Sequence, residues 1–256
     1  VSWAATALAV VMTSTPSLKE DLELVARSRV VFGHQSVGEN LLAGVAMLAK
    51  EEGVSLRVVQ GRDAALLAEA GLVHDLIGEN EDPSRKVKDF GALVTSLGPG
   101  AQVAAMKLCY VDFDQPRDPD ALLAEYQREV AALRAKFPGL TVLHVTAPLT
   151  IVQSGLKAVL KDLLGKGRWG RKFNIARHAY NEKLRAAVKG EPLFDLAEAE
   201  AGTGPGRCVD VVDGREIPCL RPELSDDGGH LNARGQREVA RAFVTALAAA
   251  LRAPVR

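Results

Sequence analysis

The chain has 256 residues, 47% of them hydrophobic and 25% charged, which is enough to bury one sizeable α/β core. Lys plus Arg and Asp plus Glu number 32 each, so no net field recruits nucleic acid or an anionic membrane. Aromatic residues at 5% also argue against a stacking platform for single-stranded nucleic acid.

Taken in order, Trp3 to Met12 is apolar but too short to span a bilayer. It reads either as the remnant of a secretory signal or as a first segment packed on the domain. Val30-Val-Phe32 is a short β-branched and aromatic run, a first strand, and Gly33 punctuates it. Val37, Leu41, Leu42, Val45 and Leu48 then recur at helical spacing, which puts Ser36 at a strand-to-helix junction. Ser55 to Val59 reads as a second strand, Ala64 to Ala70 as a short helix, and the polar stretch His74 to Pro83 as a loop. Lys86 to Leu97 is a helix stopped by Gly98-Pro-Gly100, and Ala101 to Tyr110 a third strand. Asp118-Pro119 caps a helix that runs to Phe137-Pro-Gly139, and Leu140 to Val145 is a fourth strand.

Gly155 to Lys172 is basic, contains Trp169 between glycines, and reads as a solvated linker rather than a loop over the active face. Ile175 to Val188 is helical and Leu193 to Leu196 a short fifth strand. Cys208 and Cys219 stand symmetrically about Asp213-Gly214, a strong two-residue hairpin signal. The pair is either a cross-strand disulfide, which would imply an oxidising compartment, or two neighbouring thiols. Cys109 reads as a buried apolar filler. A last helix runs from about Ala233 to Leu251, with Asn232 as its cap. Strands alternating with helices imply a mainly parallel, five-stranded sheet covered on both faces, a three-layer α/β/α sandwich.

Two readings of Ser36 stand at this point. It caps the helix, or its hydroxyl serves as a nucleophile at the carboxyl edge of the sheet, where open α/β sheets place their ligands. A hydrolytic serine needs a base and a group that orients the base. Asp227 and His230 lie three residues apart in a glycine-containing loop just before the last helix, a spacing that lets the carboxylate reach the imidazole.

Ser36 after strand one and Asp227-Gly-Gly-His230-Leu-Asn before the last helix resemble the SGNH (GDSL-type) hydrolase superfamily. Val142 to Pro148, and Asn174 to Leu184 with Tyr180-Asn181, fit the same layout. The resemblance implies a flavodoxin-like three-layer fold over residues 29–256, preceded by an N-terminal segment 1–28. It implies Ser36 as nucleophile, His230 as general base, Asp227 as the residue that orients it, and no metal or organic cofactor. It implies hydrolysis of acyl esters, acetyl groups among them, on small-molecule or carbohydrate alcohols. An acyltransferase using the same triad, or a noncatalytic domain of the same fold, are the alternatives. The oxyanion donors implied are the Ser36 N–H and Gly78; the family's asparagine after strand three is absent, so either Asn80, which reads equally as a turn residue, supplies the amide or the hole is built differently. The opening motif Gly33-His-Gln-Ser36 departs from the family's Gly-Asp-Ser, which marks a divergent branch.

His34, two residues from Ser36, reads as a site-lining or a turn residue, Tyr110 as a substrate contact, and Asp112 at the carboxyl edge as a substrate contact or a capping or turn residue. His144 lies in a strand and reads as a core histidine. His74 and His178 have no second ligand at metal-binding spacing. The cysteine pair and the apolar start favour an extracellular or periplasmic protein without an integral membrane span.

Overall fold

The computed structural model describes residues 16–156, 160, 164 and 167–254. The expectation for Trp3 to Met12 lies outside them. A six-stranded sheet, parallel throughout, runs in the order β2-β3-β1-β4-β5-β6. Its strands are β1 (Arg29–His34), β2 (Val58–Gln60), β3 (Gly71–Leu76), β4 (Val103–Met106), β5 (Thr141–Val145) and β6 (Leu193–Phe194). Helices α1 (Leu18–Ala26), α2 (Val37–Glu52) and α7 (Ala233–Arg252) cover one face. Helices α3 (Pro83–Leu97), α4 (Pro119–Lys136) and α5 (Arg171–Ala187) cover the other, and the short α6 (Leu196–Ala201) follows β6. This is the three-layer α/β/α arrangement expected from the alternation of strands and helices.

The sixth strand is β3, which sits between β2 and β1 and pairs with β1 from Arg29↔Gly71 to His34↔Leu76. The stretch from His74 was expected to be a loop. Its polar His74 and Asp75 close the strand by bonding His34 and Arg62, so side-chain partners replace the apolar alternation that sequence patterning relies on. The third strand, expected to reach Tyr110, stops at Met106, and Tyr110–Phe113 forms a 3-10 turn. The helix expected over Ala64 to Ala70 is also a 3-10 turn, Ala64–Ala68.

Helix caps follow the sequence signals. Asp82 and Asp118 accept amide bonds at the starts of α3 and α4, each with proline in the first turn, and Asn232 Oδ1 accepts from Gly235 N–H. Helix α7 lies so close to α2 that a Cβ on Gly44 would stand 2.1 Å from the Gln236 carbonyl oxygen. That close approach lets the final helix deliver the loop at its start to the beginning of α2. The chain crosses from one side of the sheet to the other around β1, whose neighbours are β3 and β4. The carboxyl end of β1 therefore opens at the topological switch point, where α/β sheets hold ligands.

The hairpin β7 (Val209–Val212) and β8 (Arg215–Pro218) turns at Asp213 and Gly214, both with positive φ (50° and 76°). Cys208 and Cys219 are disulfide-bonded at its open end, with Cα atoms 5.2 Å apart. Asp210 ties the hairpin to α5 by accepting two bonds from Arg171, at 2.6 and 3.0 Å. No helix among the described residues is long and apolar enough to cross a membrane.

Candidate active site

Ser36 sits half-buried between β1 and α2, and its side chain makes no capping hydrogen bond. Gln35 fixes the junction from the other side, its amide donating to the carbonyls of Ile77 (3.1 Å) and Gly78 (3.0 Å). One turn into α2, Asn40 Oδ1 accepts the Leu231 N–H at 3.0 Å. That bond moors the residue next to His230 on the same helical turn that begins at Ser36.

Asp227 organises its loop. Its Oδ1 accepts the N–H groups of Gly229 (2.9 Å) and His230 (2.8 Å), and its Oδ2 lies 2.6 Å from His230 Nδ1. Burial opposes ionisation, but these two amides and the imidazole outweigh it and hold the carboxyl well below the usual carboxylate range. An ionised Asp227 on Nδ1 leaves Nε2 as the free, basic nitrogen. The side chains are 39% (His230) and 58% (Asp227) exposed, so the pair is open to water.

Two glycines let this loop lie between aromatic rings. A Cβ on Gly229 would meet the Tyr110 ring at 2.8 Å, and one on Gly228 would meet Trp169 at 3.1 Å and Ile151 at 3.0 Å. The Tyr110 hydroxyl stands 3.4 Å from His230 Nε2 and 3.5 Å from Nδ1, with the rings edge to face. Burial, then the Asp227 charge, raises the Tyr110 pKa and keeps the hydroxyl protonated. Beneath it, the fully buried Arg177 donates twice to the Tyr110 carbonyl (3.1 and 2.9 Å) and once each to Thr150 Oγ1 (2.8 Å) and Asn174 Oδ1 (2.7 Å).

The remaining residues expected in the site separate clearly. Asn80 is exposed after β3, and its Oδ1 accepts from Lys86 Nζ at 3.1 Å. The Gly78 N–H is occupied by Asp89 Oδ2 at 2.8 Å and is not open to an oxyanion. Asp112 is fully buried, ion-paired with Lys86 (2.7 Å) and bonded by the Glu81 and Cys109 amides. It braces the Asn80 loop against the end of β4 and has no face toward a substrate. His34 is also fully buried, stacked on Phe32, against Gly38, with Nε2 3.0 Å from His74 Nδ1. Burial first, and then His74 and Lys107, push its pKa down to about 3, so it is neutral. His144 is a core residue held by Tyr126 and Glu191. Sequence reasoning missed Gln35, Asn40, Lys86, Arg177 and Trp169. Only Asn40, four residues after Ser36 and so on the same helical face, carried a readable signal.

No family model matches the chain, and no curated protein matches it. Solved structures do. A Streptococcus pneumonia protein named for platelet activating factor superposes with a TM-score of 0.51 at 11% identity, over 88% of this chain and 89% of that one. A Parabacteroides merdae protein designated a GDSL-like lipase gives 0.49 at 14% identity, over 88% and 97%. A peptidoglycan O-acetylesterase gives 0.46 at 13% identity, over 72% of this chain and 48% of that one. The chain shares the three-layer α/β/α fold of the first of these structures. In that fold the carboxyl end of β1 and the loop before the last helix share one edge, which here holds Ser36, Asp227 and His230.

Proposed function

We propose that this protein is a serine hydrolase of acyl esters. The observation that carries the reading is the 2.6 Å Asp227–His230 pair, moored through Leu231 and Asn40 to the helical turn that Ser36 opens. Ser36 Oγ attacks the ester carbonyl while His230 Nε2 takes its proton, and Asp227 keeps Nδ1 protonated and bears the imidazolium charge. The Ser36 side chain is not committed to capping α2, which leaves its hydroxyl available to His230.

The tetrahedral oxyanion is met by the Ser36 N–H and by the Asn80 amide that Lys86 holds. His230 returns the proton to the departing alcohol, and water then releases the acyl group by the reverse sequence. The exposure of His230 and Asp227 favours water over a sequestered acceptor alcohol, hence hydrolysis over acyl transfer. Tyr110, edge-on to His230, contacts the bound ester. The Cys208–Cys219 bridge supports an exported protein.

Nitrophenyl esters of graded chain length test the reading. Turnover by the native chain and its loss in Ser36→Ala are expected. Equal turnover by a folded Ser36→Ala protein would refute it.

A further inference from the structure

Ester hydrolysis puts charge on two oxygens in turn, the former carbonyl oxygen and that of the departing alcohol. In the ester-hydrolase reading above, the Ser36 N–H and Asn80 meet the first, while His230 Nε2 protonates the second. In the tetrahedral intermediate Ser36 Oγ and the alcohol oxygen are bonded to one carbon, and both lie within reach of Nε2. They cannot both lie on its lone-pair axis, so the alcohol oxygen stands off that axis, toward the flank of the imidazole.

A flank of that ring carries the Tyr110 hydroxyl, 3.4 Å from Nε2 and 3.5 Å from Nδ1. A partner lying along the Nε2 lone pair would stand much farther from Nδ1, so the near-equal distances put Oη beside the ring and leave the lone pair open. Apart from Asp227 on Nδ1, Tyr110 is the only side chain among the described residues that hydrogen-bonds the His230 ring. Glycine at position 229 admits it, since a Cβ there would stand 2.8 Å from the phenol ring. Burial, and then the Asp227 charge, raise the Tyr110 pKa, so the hydroxyl keeps its proton and can donate.

The backbone beneath Tyr110 is fixed by a buried cation. Arg177 donates from Nε and one terminal nitrogen to the Tyr110 carbonyl, and the same nitrogen reaches Asp114 Oδ1 at 3.3 Å, so one edge of the guanidinium grips the turn from Tyr110 to Asp114. Its other edge holds Thr150 Oγ1 and Asn174 Oδ1. Asn174 in turn accepts the Thr150 N–H at 3.1 Å and donates to the Thr150 carbonyl at 2.7 Å, and the next residue, Ile151, donates its N–H to the Gly228 carbonyl at 3.0 Å. One guanidinium therefore ties Tyr110 to the segment that carries the Gly228-Gly229 loop, which fixes the hydroxyl relative to His230.

We propose that Tyr110 is a catalytic residue whose hydroxyl donates a hydrogen bond to the alcohol oxygen as its bond to the acyl carbon breaks, with Arg177 as the residue that positions it. His230 gives its Nε2 proton to that oxygen, Tyr110 keeps its own, and the neutral alcohol departs. The role deepens the ester-hydrolase reading and rests on it. Its consequence is a dependence on the leaving group. An alkyl alcohol is a poor leaving group and needs the donor, whereas nitrophenolate carries its charge unaided.

The test compares the ethyl and nitrophenyl esters of the acyl group that the native chain turns over best. Only kcat/KM is compared, because it covers the steps up to loss of the alcohol and excludes the deacylation that both esters share. Tyr110→Phe keeps the ring and should lower kcat/KM about 10–100-fold for the ethyl ester, the loss of one hydrogen bond to a developing charge, and less than about threefold for the nitrophenyl ester. Arg177→Lys keeps the charge without the fork and should discriminate in the same direction, by about tenfold, but no longer do so in the Tyr110→Phe background. A Tyr110 that only shapes the loop would slow both esters alike. Equal loss on the two esters, or no loss on either, in a chain that Ser36→Ala inactivates, would overturn the role of Tyr110 alone. A native chain that turns over neither ester, or a fully active Ser36→Ala, would remove the hydrolase reading and this role with it.

Discussion

The molecule contains two sets of tyrosine, histidine and carboxylate, and they behave in opposite ways. In the core, His144 has Nδ1 2.7 Å from the Tyr126 hydroxyl and Nε2 3.0 Å from Glu191. Arg134 also binds Glu191, and burial, against the pull of Glu191, lowers the His144 pKa. Both ring nitrogens are spent, the carboxylate is already paired, and no nucleophile is at hand. At the sheet edge, His230 has Nδ1 on Asp227 at 2.6 Å, while Nε2 meets, among the described residues, only the long 3.4 Å contact of Tyr110. A histidine beside a carboxylate is therefore not itself a site. A ring nitrogen without a close partner, on an exposed loop at the edge of the sheet that also carries Ser36, is what separates the two.

The largest effects should fall on the edge set alone. Ser36→Ala and His230→Ala should each lower ester turnover by about 10⁴–10⁶, and the double variant should be little worse, because the groups act as a unit. Asp227→Asn should cost about 10²–10⁴ through loss of the oriented tautomer. By contrast, His144→Phe should leave kcat/KM within about threefold and appear as lost stability, about 1–3 kcal/mol in a urea titration, for the hydrogen bonds it breaks. A catalytic defect in His144→Phe equal to that in His230→Ala would erase the distinction.

Asn80→Ala sharpens the edge assignment. It should reduce kcat by about 10²–10³ with KM nearly constant if its amide meets the oxyanion. A loss confined to stability would reduce Asn80 to a partner of Lys86.

Smaller effects concern the scaffold. Cys208→Ala/Cys219→Ala should lower stability by about 2–3 kcal/mol, the value for a loop this short, and thiol titration of the denatured native chain should find Cys109 alone. Behind the site, Glu200 is fully buried, with Oε2 on the Leu149 N–H (2.5 Å) and Oε1 unpartnered. Burial pushes its pKa from 4.5 up to about 8, against the Leu149 amide, Lys107 and Arg177. The native chain then holds a proton that the unfolded chain releases above pH 4.5. This stabilisation is complete below that pH and is lost as pH rises toward 8. Thermal melts of Glu200→Gln, neutral at every pH, should show a flatter decline between pH 5 and 8 than the native chain.

How much of this was legible depended on whether the cause was local. The β1–α2 junction, the Asp82, Asp118 and Asn232 caps and the Asp213-Gly214 hairpin each rest on a few neighbouring residues, and the structure has them. The three-layer α/β/α layout followed from the alternation of strands and helices. Strand β3 was misread because His74 and Asp75 are satisfied by His34 and Arg62, far away in sequence. The same limit hid the work of Lys86, whose partners Asn80 and Asp112 lie on two loops, and of Arg177 beneath Tyr110. It also led Asp112 to be offered as a substrate contact and His34 as a site-lining or turn residue, when long-range packing buries both. Trp169 was set in a linker because its contact, Gly228, is a residue with no side chain to announce it.

The central claim is that Ser36 is a nucleophile activated by His230, and covalent labelling with a fluorophosphonate reads it directly. The native chain should gain one adduct, mapped by peptide mass to Ser36, with labelling abolished in Ser36→Ala and strongly slowed in His230→Ala but unaffected in His144→Phe. An inert Ser36 in the folded native chain, or an adduct that persists in Ser36→Ala, would contradict the account.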